Sequence, residues 1–118
     1  MKKEPIYIID DNSSICQALK FMLESLNFKV KWYLNPLHFF ELNIPALKGF
    51  VILDLCMPIM NGFEVIKKIR AKNNHIKIIA ISGISSQDTE KRVLQEGGQL
   101  FFAKPLNTMR LINEISKS

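Results

Sequence analysis

Five short apolar runs, each followed by a stretch with helical spacing, constrain this chain more than any other feature. The runs predict strands over 5–9, 28–33, 49–54, 77–82 and 99–102. Such alternation argues for βα units and a parallel sheet, because parallel strands need a crossover long enough to hold a helix. Ile78-Ile79-Ala80-Ile81 is continuously apolar rather than alternating, which fits strands covered on both faces. The expected class is therefore α/β, in three layers. At 118 residues the chain suits one domain, expected over 1–118, with no second domain, repeat or internal linker.

The helices carry their own boundary signals. Asn12-Ser13-Ser14 offers N-cap oxygens to a first helix with Ile15, Ala18, Leu19, Met22, Leu23 and Leu26 at three- and four-residue spacing. Asn35-Pro36 supplies a cap and an N1 proline to a short second helix holding Leu37, Phe39, Phe40 and Leu42. A third starts at Asn61-Gly62 and is expected to bury Phe63, Ile66 and Ile69. The fourth, over about 86–96, has only Val93 and Leu94 as large apolar residues, and Gly97-Gly98 stop it. The fifth starts near Asn107, with Leu106, Met109, Ile112 and Ile115 on one stripe.

Composition excludes several classes. Apolar residues make up 47%, which argues against disorder. No apolar run approaches the roughly 20 residues that span a membrane, and Met-Lys-Lys-Glu-Pro does not read as a signal peptide. A cytoplasmic protein without membrane contact is expected. Cys16 and Cys56 are the only cysteines, too few for a zinc site or a disulfide framework, and both are expected as buried or half-buried thiols. His38 and His75 stand apart and are expected at the surface. The net charge is +5, but the basic residues are scattered, with no interleaved aromatics and no helix-turn-helix pattern. Direct DNA binding is not expected.

Charge at the strand ends carries the chemistry. Asp10 and Asp11 follow Ile6-Tyr7-Ile8-Ile9, Asp54 ends Phe50-Val51-Ile52-Leu53, and Lys104 follows Phe101-Phe102-Ala103. Desolvating an unpaired charge costs several kcal/mol or more, so charges at buried strand ends call for a reason. Strand C-termini are also where open parallel sheets place ligands. Asp10 and Asp11 repel each other, and Asp54 if it is near. A hard cation such as Mg²⁺, which takes a few carboxylates plus waters, resolves the conflict, and Mn²⁺ can stand in for it. An N-capping role suits Asn12 or Ser13 but does not account for two adjacent acids. Asp54 can then attack phosphorus and form an acyl phosphate. Lys104 supplies a compact positive charge, Ser82 a hydroxyl donor, and Gly83 a close backbone approach.

Four segments in order carry a family resemblance: Ile-Ile-Asp-Asp-Asn, Val-Ile-Leu-Asp-Leu-Cys-Met-Pro-Ile-Met-Asn-Gly, Ala-Ile-Ser-Gly and Phe-Phe-Ala-Lys-Pro. Across the whole chain the sequence resembles the receiver domains of bacterial two-component response regulators. The resemblance implies a flavodoxin-like fold with five parallel strands in order 2-1-3-4-5. It implies that Asp54 accepts a phosphoryl group from a phosphohistidine on a sensor histidine kinase or a histidine phosphotransfer protein. Asp10, Asp11, Asp54 and the backbone carbonyl of Cys56 would hold Mg²⁺. Lys104 would pair with the phosphoryl group, and the Lys104-Pro105 bond would be cis. Ser82 and Phe101 would form a switch, the hydroxyl moving toward the phosphoryl group while the ring turns inward. The output surface would surround the fourth helix, fifth strand and fifth helix, with a homodimer on activation. Lys91 and Arg92, where the family favours small apolar residues, weigh against that dimer surface. Such a domain is not an enzyme for other substrates; it promotes only its own phosphorylation and dephosphorylation at Asp54.

Three rivals are weaker. An aspartyl-phosphate phosphohydrolase needs a second acid two residues after the nucleophile, where this chain has Cys56. A flavin- or nucleotide-binding domain needs a glycine-rich phosphate loop, and Asp10-Asp11-Asn12-Ser13 would repel a phosphate without a metal. An interaction module that is never phosphorylated would not need Asp10, Asp11, Asp54, Ser82 and Lys104 together.

Overall fold

A computed structural model describes residues 4–84 and 86–117. The strands are β1 (Ile6–Ile9), β2 (Val30–Tyr33), β3 (Phe50–Asp54), β4 (Lys77–Ser82) and β5 (Leu100–Ala103). The helices are α1 (Ser13–Ser25), α2 (Pro36–Phe39), α3 (Gly62–Arg70), α4 (Gln87–Glu96) and α5 (Thr108–Ser116). The five strands form one parallel sheet in the order β2-β1-β3-β4-β5. A short 3₁₀ turn, Ile44–Ala46, precedes β3 and has no counterpart in the sequence reading. β5 lies one residue later than expected, and α2 is a single turn that ends before Leu42.

Strand alternation divides the core between two faces. Tyr7, Ile9, Val51, Leu53, Ile78 and Ala80 pack with Val65, Ile66 and Ile69 of α3 and Val93 of α4. Ile6, Ile8, Phe50, Ile52, Ile79 and Ile81 pack with Cys16, Leu19 and Leu23 of α1 and Leu111 and Ile115 of α5. The sheet is thus doubly wound, with helices on both sides. Phe39 is fully buried and meets Tyr7, Tyr33 and Phe40 edge-on, with ring centroids 5.5–5.8 Å apart.

Each long helix takes an Asn or Ser cap from the sequence. Asn12, Asn61, Ser86 and Asn107 accept first-turn N–H groups of α1, α3, α4 and α5. α4 stops at Gly97, whose φ of 113° lies in the left-handed region. A side chain there would also run into Arg70.

Several expected core positions face elsewhere. On α5 Met109 is 65% exposed, while Leu111 and Ile115 are buried, so the inward stripe is offset from the one expected. Leu94 is exposed and leaves Val93 as the one buried residue of α4. Val65, not Phe63, lies fully inside α3; Phe63 is half-buried and carries the Arg92 guanidinium 4.0 Å above its ring. Ala18 is exposed and Cys16 takes the inward place on α1. Cys56 is exposed, against the expectation of a buried or half-buried thiol. Short helices explain the shifts on α3, α4 and α5: nine or ten residues fit several angular registers, and contact with the sheet selects one.

Candidate functional site

The strand ends converge as expected. β1, β3 and β4 lie side by side, so the residues following or closing them share one edge. One carboxylate oxygen each from Asp10, Asp11 and Asp54 lies within 4.8 Å of the others. Asp10 and Asp54 are 3% exposed, whereas Asp11 is exposed. Lys104, from the segment after β5, places Nζ 3.3 Å from Asp54 Oδ2. The Lys104–Pro105 peptide is cis, as the resemblance implies.

Backbone turns aim two of the acids. The Asn12 N–H donates to Asp10 Oδ1 at 2.9 Å, and the Cys56 N–H donates to Asp54 Oδ1 at 3.0 Å. Both are Asx-type contacts, in which a short carboxylate takes the amide two residues on. They leave the remaining lone pairs free to converge. Gly62 belongs to the same support: a side chain there would meet Leu55 at 2.5 Å, so the turn into α3 can lie directly on the strand that ends in Asp54.

The electrostatics are unbalanced. Burial pushes the Asp10 carboxyl up to about 6; Asp54 and Asp11 add to the rise, while the Asn12 amide and Lys104 oppose it. Cys16 lies behind this acid, its thiol directed at the Asp10 carbonyl oxygen 3.4 Å away. Burial first, then the charges of Asp10 and Asp11, push the Cys16 thiol up to about 12, so it serves as packing and not as a nucleophile. Three carboxylates with one lysine are two negative charges in excess. That oxygen-only donor set fits a hard divalent cation and suits neither a soft metal nor a bare phosphate.

Ser82 closes β4 and is fully buried. Its Oγ accepts the Ile84 N–H at 3.0 Å and lies 3.6 Å from Cys56 Sγ. Phe101 pairs in register with Ala80, and Ala103 with Ser82. Ser82 and Phe101 therefore share the sheet face that carries α3 and α4. Phe101 is partly buried against that core, while Phe102 is buried on the opposite face. A side chain at Gly83 would meet no protein atom within 4 Å.

The Asn12 and Cys56 amides and the Cys56–Ser82 contact lie outside the sequence expectations. An Asp followed two residues later by a free amide is the signal that was available for the first two. Nothing local announces the third, which joins positions 26 residues apart.

A sequence profile of the response regulator receiver domain matches residues 6–116. The chain belongs to this family. As a receiver domain it has a phosphoacceptor signalling role. It is 25% identical over 114 residues to the transcriptional regulatory protein FixJ of Azorhizobium caulinodans, covering 97% of this chain and 54% of FixJ. The receiver thus spans about half the length of the curated relatives it matches. A two-component response regulator from Clostridium difficile has the same fold, with TM-score 0.89 and 25% identity over 98% of this chain and 94% of that one. A Burkholderia pseudomallei response regulator, solved with a phosphorylated aspartic acid, calcium ion and citrate, superposes with TM-score 0.85. It is 23% identical, over 96% of this chain and 66% of that one.

Proposed function

We propose that Asp54 is the phosphoacceptor of this receiver, and that its donor is a phosphohistidine on a sensor histidine kinase or histidine phosphotransfer protein. The observation that carries this reading is the pairing of buried Asp54 with Lys104 at 3.3 Å inside a cluster of two further acids. An Asp54 oxygen attacks phosphorus, the O–P bond forms as the P–N bond to imidazole breaks, and the leaving nitrogen takes a proton. Lys104 follows the charge onto the phosphoryl oxygens. The Cys56 amide holds the second Asp54 oxygen and orients the attack.

Asp10, Asp11, Asp54 and the Cys56 backbone carbonyl would hold Mg²⁺, with Mn²⁺ as a substitute. When bound, the ion offsets the excess negative charge and lowers repulsion toward the incoming phosphoryl group. A groove of about 320 Å³ runs from Asp10 and Lys104 along Ile15, Ala18, Leu19, Pro105 and Leu106. Its apolar lining beside the acids suits a donor protein that presents its histidine on a helix.

The Ser82 hydroxyl and the Phe101 ring transmit the new charge to the α4–β5–α5 face. Leu94 on α4 and Met109 on α5 are exposed and support this as the output or dimer surface, despite Lys91 and Arg92. The whole of 1–118 acts as one receiver. It promotes only its own phosphorylation and dephosphorylation and has no role as an enzyme on other substrates. It works in the cytoplasm without direct DNA contact. No helix among the described residues is long and apolar enough to cross a membrane.

The test is labelling by phosphoramidate with Mg²⁺, followed by intact-mass measurement. Wild type should gain one phosphoryl group, and Asp54→Asn should gain none. Equal labelling of both would remove Asp54 from the role. No labelling of either, alongside binding of a kinase, would favour an interaction module.

A further inference from the structure

The Cys56 side chain has no part in the proposed phosphorylation, yet it touches the switch. Its backbone N–H is tied to Asp54 Oδ1 at 3.0 Å, and its Sγ lies 3.6 Å from Ser82 Oγ, within hydrogen-bonding range for sulfur. Ser82 is fully buried, and its hydroxyl has one proton and two lone pairs. One lone pair takes the Ile84 N–H at 3.0 Å. Among the described residues, Cys56 Sγ is the other recorded partner of that oxygen, and neither Asp54 nor Lys104 makes a side-chain hydrogen bond to it. Ser82, Cys56 and Ile84 line a small cavity of about 220 Å³ together with Phe63, Thr89 and Arg92 of α3 and α4.

We infer that the Cys56 thiol is a positioning residue that holds the Ser82 hydroxyl in its resting arrangement and so sets the threshold of the switch. This rests on the receiver reading above, in which Ser82 turns to the phosphoryl group on Asp54. Whichever of the two atoms donates, the Ser82 oxygen must leave the sulfur to turn to a phosphoryl group on Asp54, so activation breaks the thiol contact. A contact that exists in only one of two states biases the equilibrium by its own strength. Hydrogen bonds to sulfur are weak, so the bias is small and easily overcome by a phosphoryl group. Cys56 is exposed, and replacing its side chain leaves both its backbone amide and the buried core in place.

The test measures initial phosphoramidate labelling rates for wild type, Cys56→Ala and Cys56→Ser, each with Ser82 and with Ser82→Ala. Cys56→Ala should speed labelling about two- to fivefold, the effect of losing one weak hydrogen bond. Cys56→Ser restores a donor and acceptor and should return the rate to wild type or below it. In the Ser82→Ala background neither change should matter, since the pair no longer exists. Hydrogen exchange at the Ile84 amide gives a readout free of phosphorylation: it should be faster in Cys56→Ala, because the Ser82 oxygen it donates to is no longer fixed. Acceleration that persists without the Ser82 hydroxyl, or unchanged Ile84 exchange, would overturn the inference while leaving the receiver intact. Wild type that takes no label at Asp54 would instead overturn the receiver reading.

Discussion

At the amino-terminal ends of the strands, Asn73 is 5% exposed, and its side chain uses its full hydrogen-bonding capacity. Its amide nitrogen donates to the carbonyls of Ile44 and Leu47, and its oxygen accepts the N–H groups of His75 and Ile76. Arg70 nearby donates to the Gly97 and Asn73 carbonyls and to Gln99 Oε1, which also accepts the Ile78 N–H. At the carboxy-terminal ends, Asp10, Asp11 and Asp54 crowd together around one lysine. The same sheet thus has one edge where buried polar groups answer one another and one where like charges are held together. Matched groups stabilise the fold, whereas mismatched charges store repulsion, which the proposed metal would relieve.

The sharpest way to break this contrast is at the satisfied edge. Asn73→Ala leaves two amides and two carbonyls to find water, and should cost about 3 kcal/mol of stability. Below its lowered melting temperature the variant should still accept a phosphoryl group, as thermal denaturation followed by labelling can show. Loss of labelling in the folded variant would mean that the two edges are coupled.

Metal should act on the other edge alone. Binding to the folded state contributes RT ln(1 + [L]/Kd), about 2.7 kcal/mol at a hundredfold excess over Kd. Added Mg²⁺ should therefore raise the melting temperature of wild type and of Asn73→Ala by the same free energy. EDTA should reverse it, and Asp10→Asn should abolish it.

Removing one like charge should relieve the crowding. Asp10→Asn and Asp11→Asn should each stabilise the metal-free protein by about 1 kcal/mol while weakening metal-dependent labelling. Asn keeps an oxygen for the Asn12 amide at position 10, so little else changes. If both variants melt lower than wild type, the acids are structural partners and the contrast between the edges fails.

A further effect is in pH. The Asp10 carboxyl moves from 3.8 up to about 6 in the folded protein, so between those values the folded state holds more protons than the unfolded one. Stability of the metal-free protein should accordingly fall as pH rises from about 4 to about 6, and recover on acidification through the same window. Mg²⁺ should flatten or reverse that slope, because the bound form needs the carboxylate. Chemical denaturation across the window, with and without metal, separates the two behaviours.

Much of this was legible in the residues. Continuous apolar runs that alternate with capped helical stretches determine a parallel sheet, because each run must be buried on both faces and each crossover must hold a helix. Acids and a lysine placed directly after those runs must then meet at one edge, wherever each lies in the chain. That is why Asp10, Asp11, Asp54, Ser82 and Lys104 group together from the sequence alone. Tertiary structure alone decided what depends on angle and on distant partners. Met109 and Leu94 are apolar yet face outward, because a helix of nine or ten residues can be rotated until its neighbours choose a register. Asn73 begins the polar run Asn73-Asn74-His75, and only packing places four backbone groups around its side chain. The Cys56–Ser82 contact likewise exists only once β3 and β4 lie side by side. Local pattern encodes which surfaces must be hidden; hydrogen bonds across long sequence separations arise only after those surfaces have been packed.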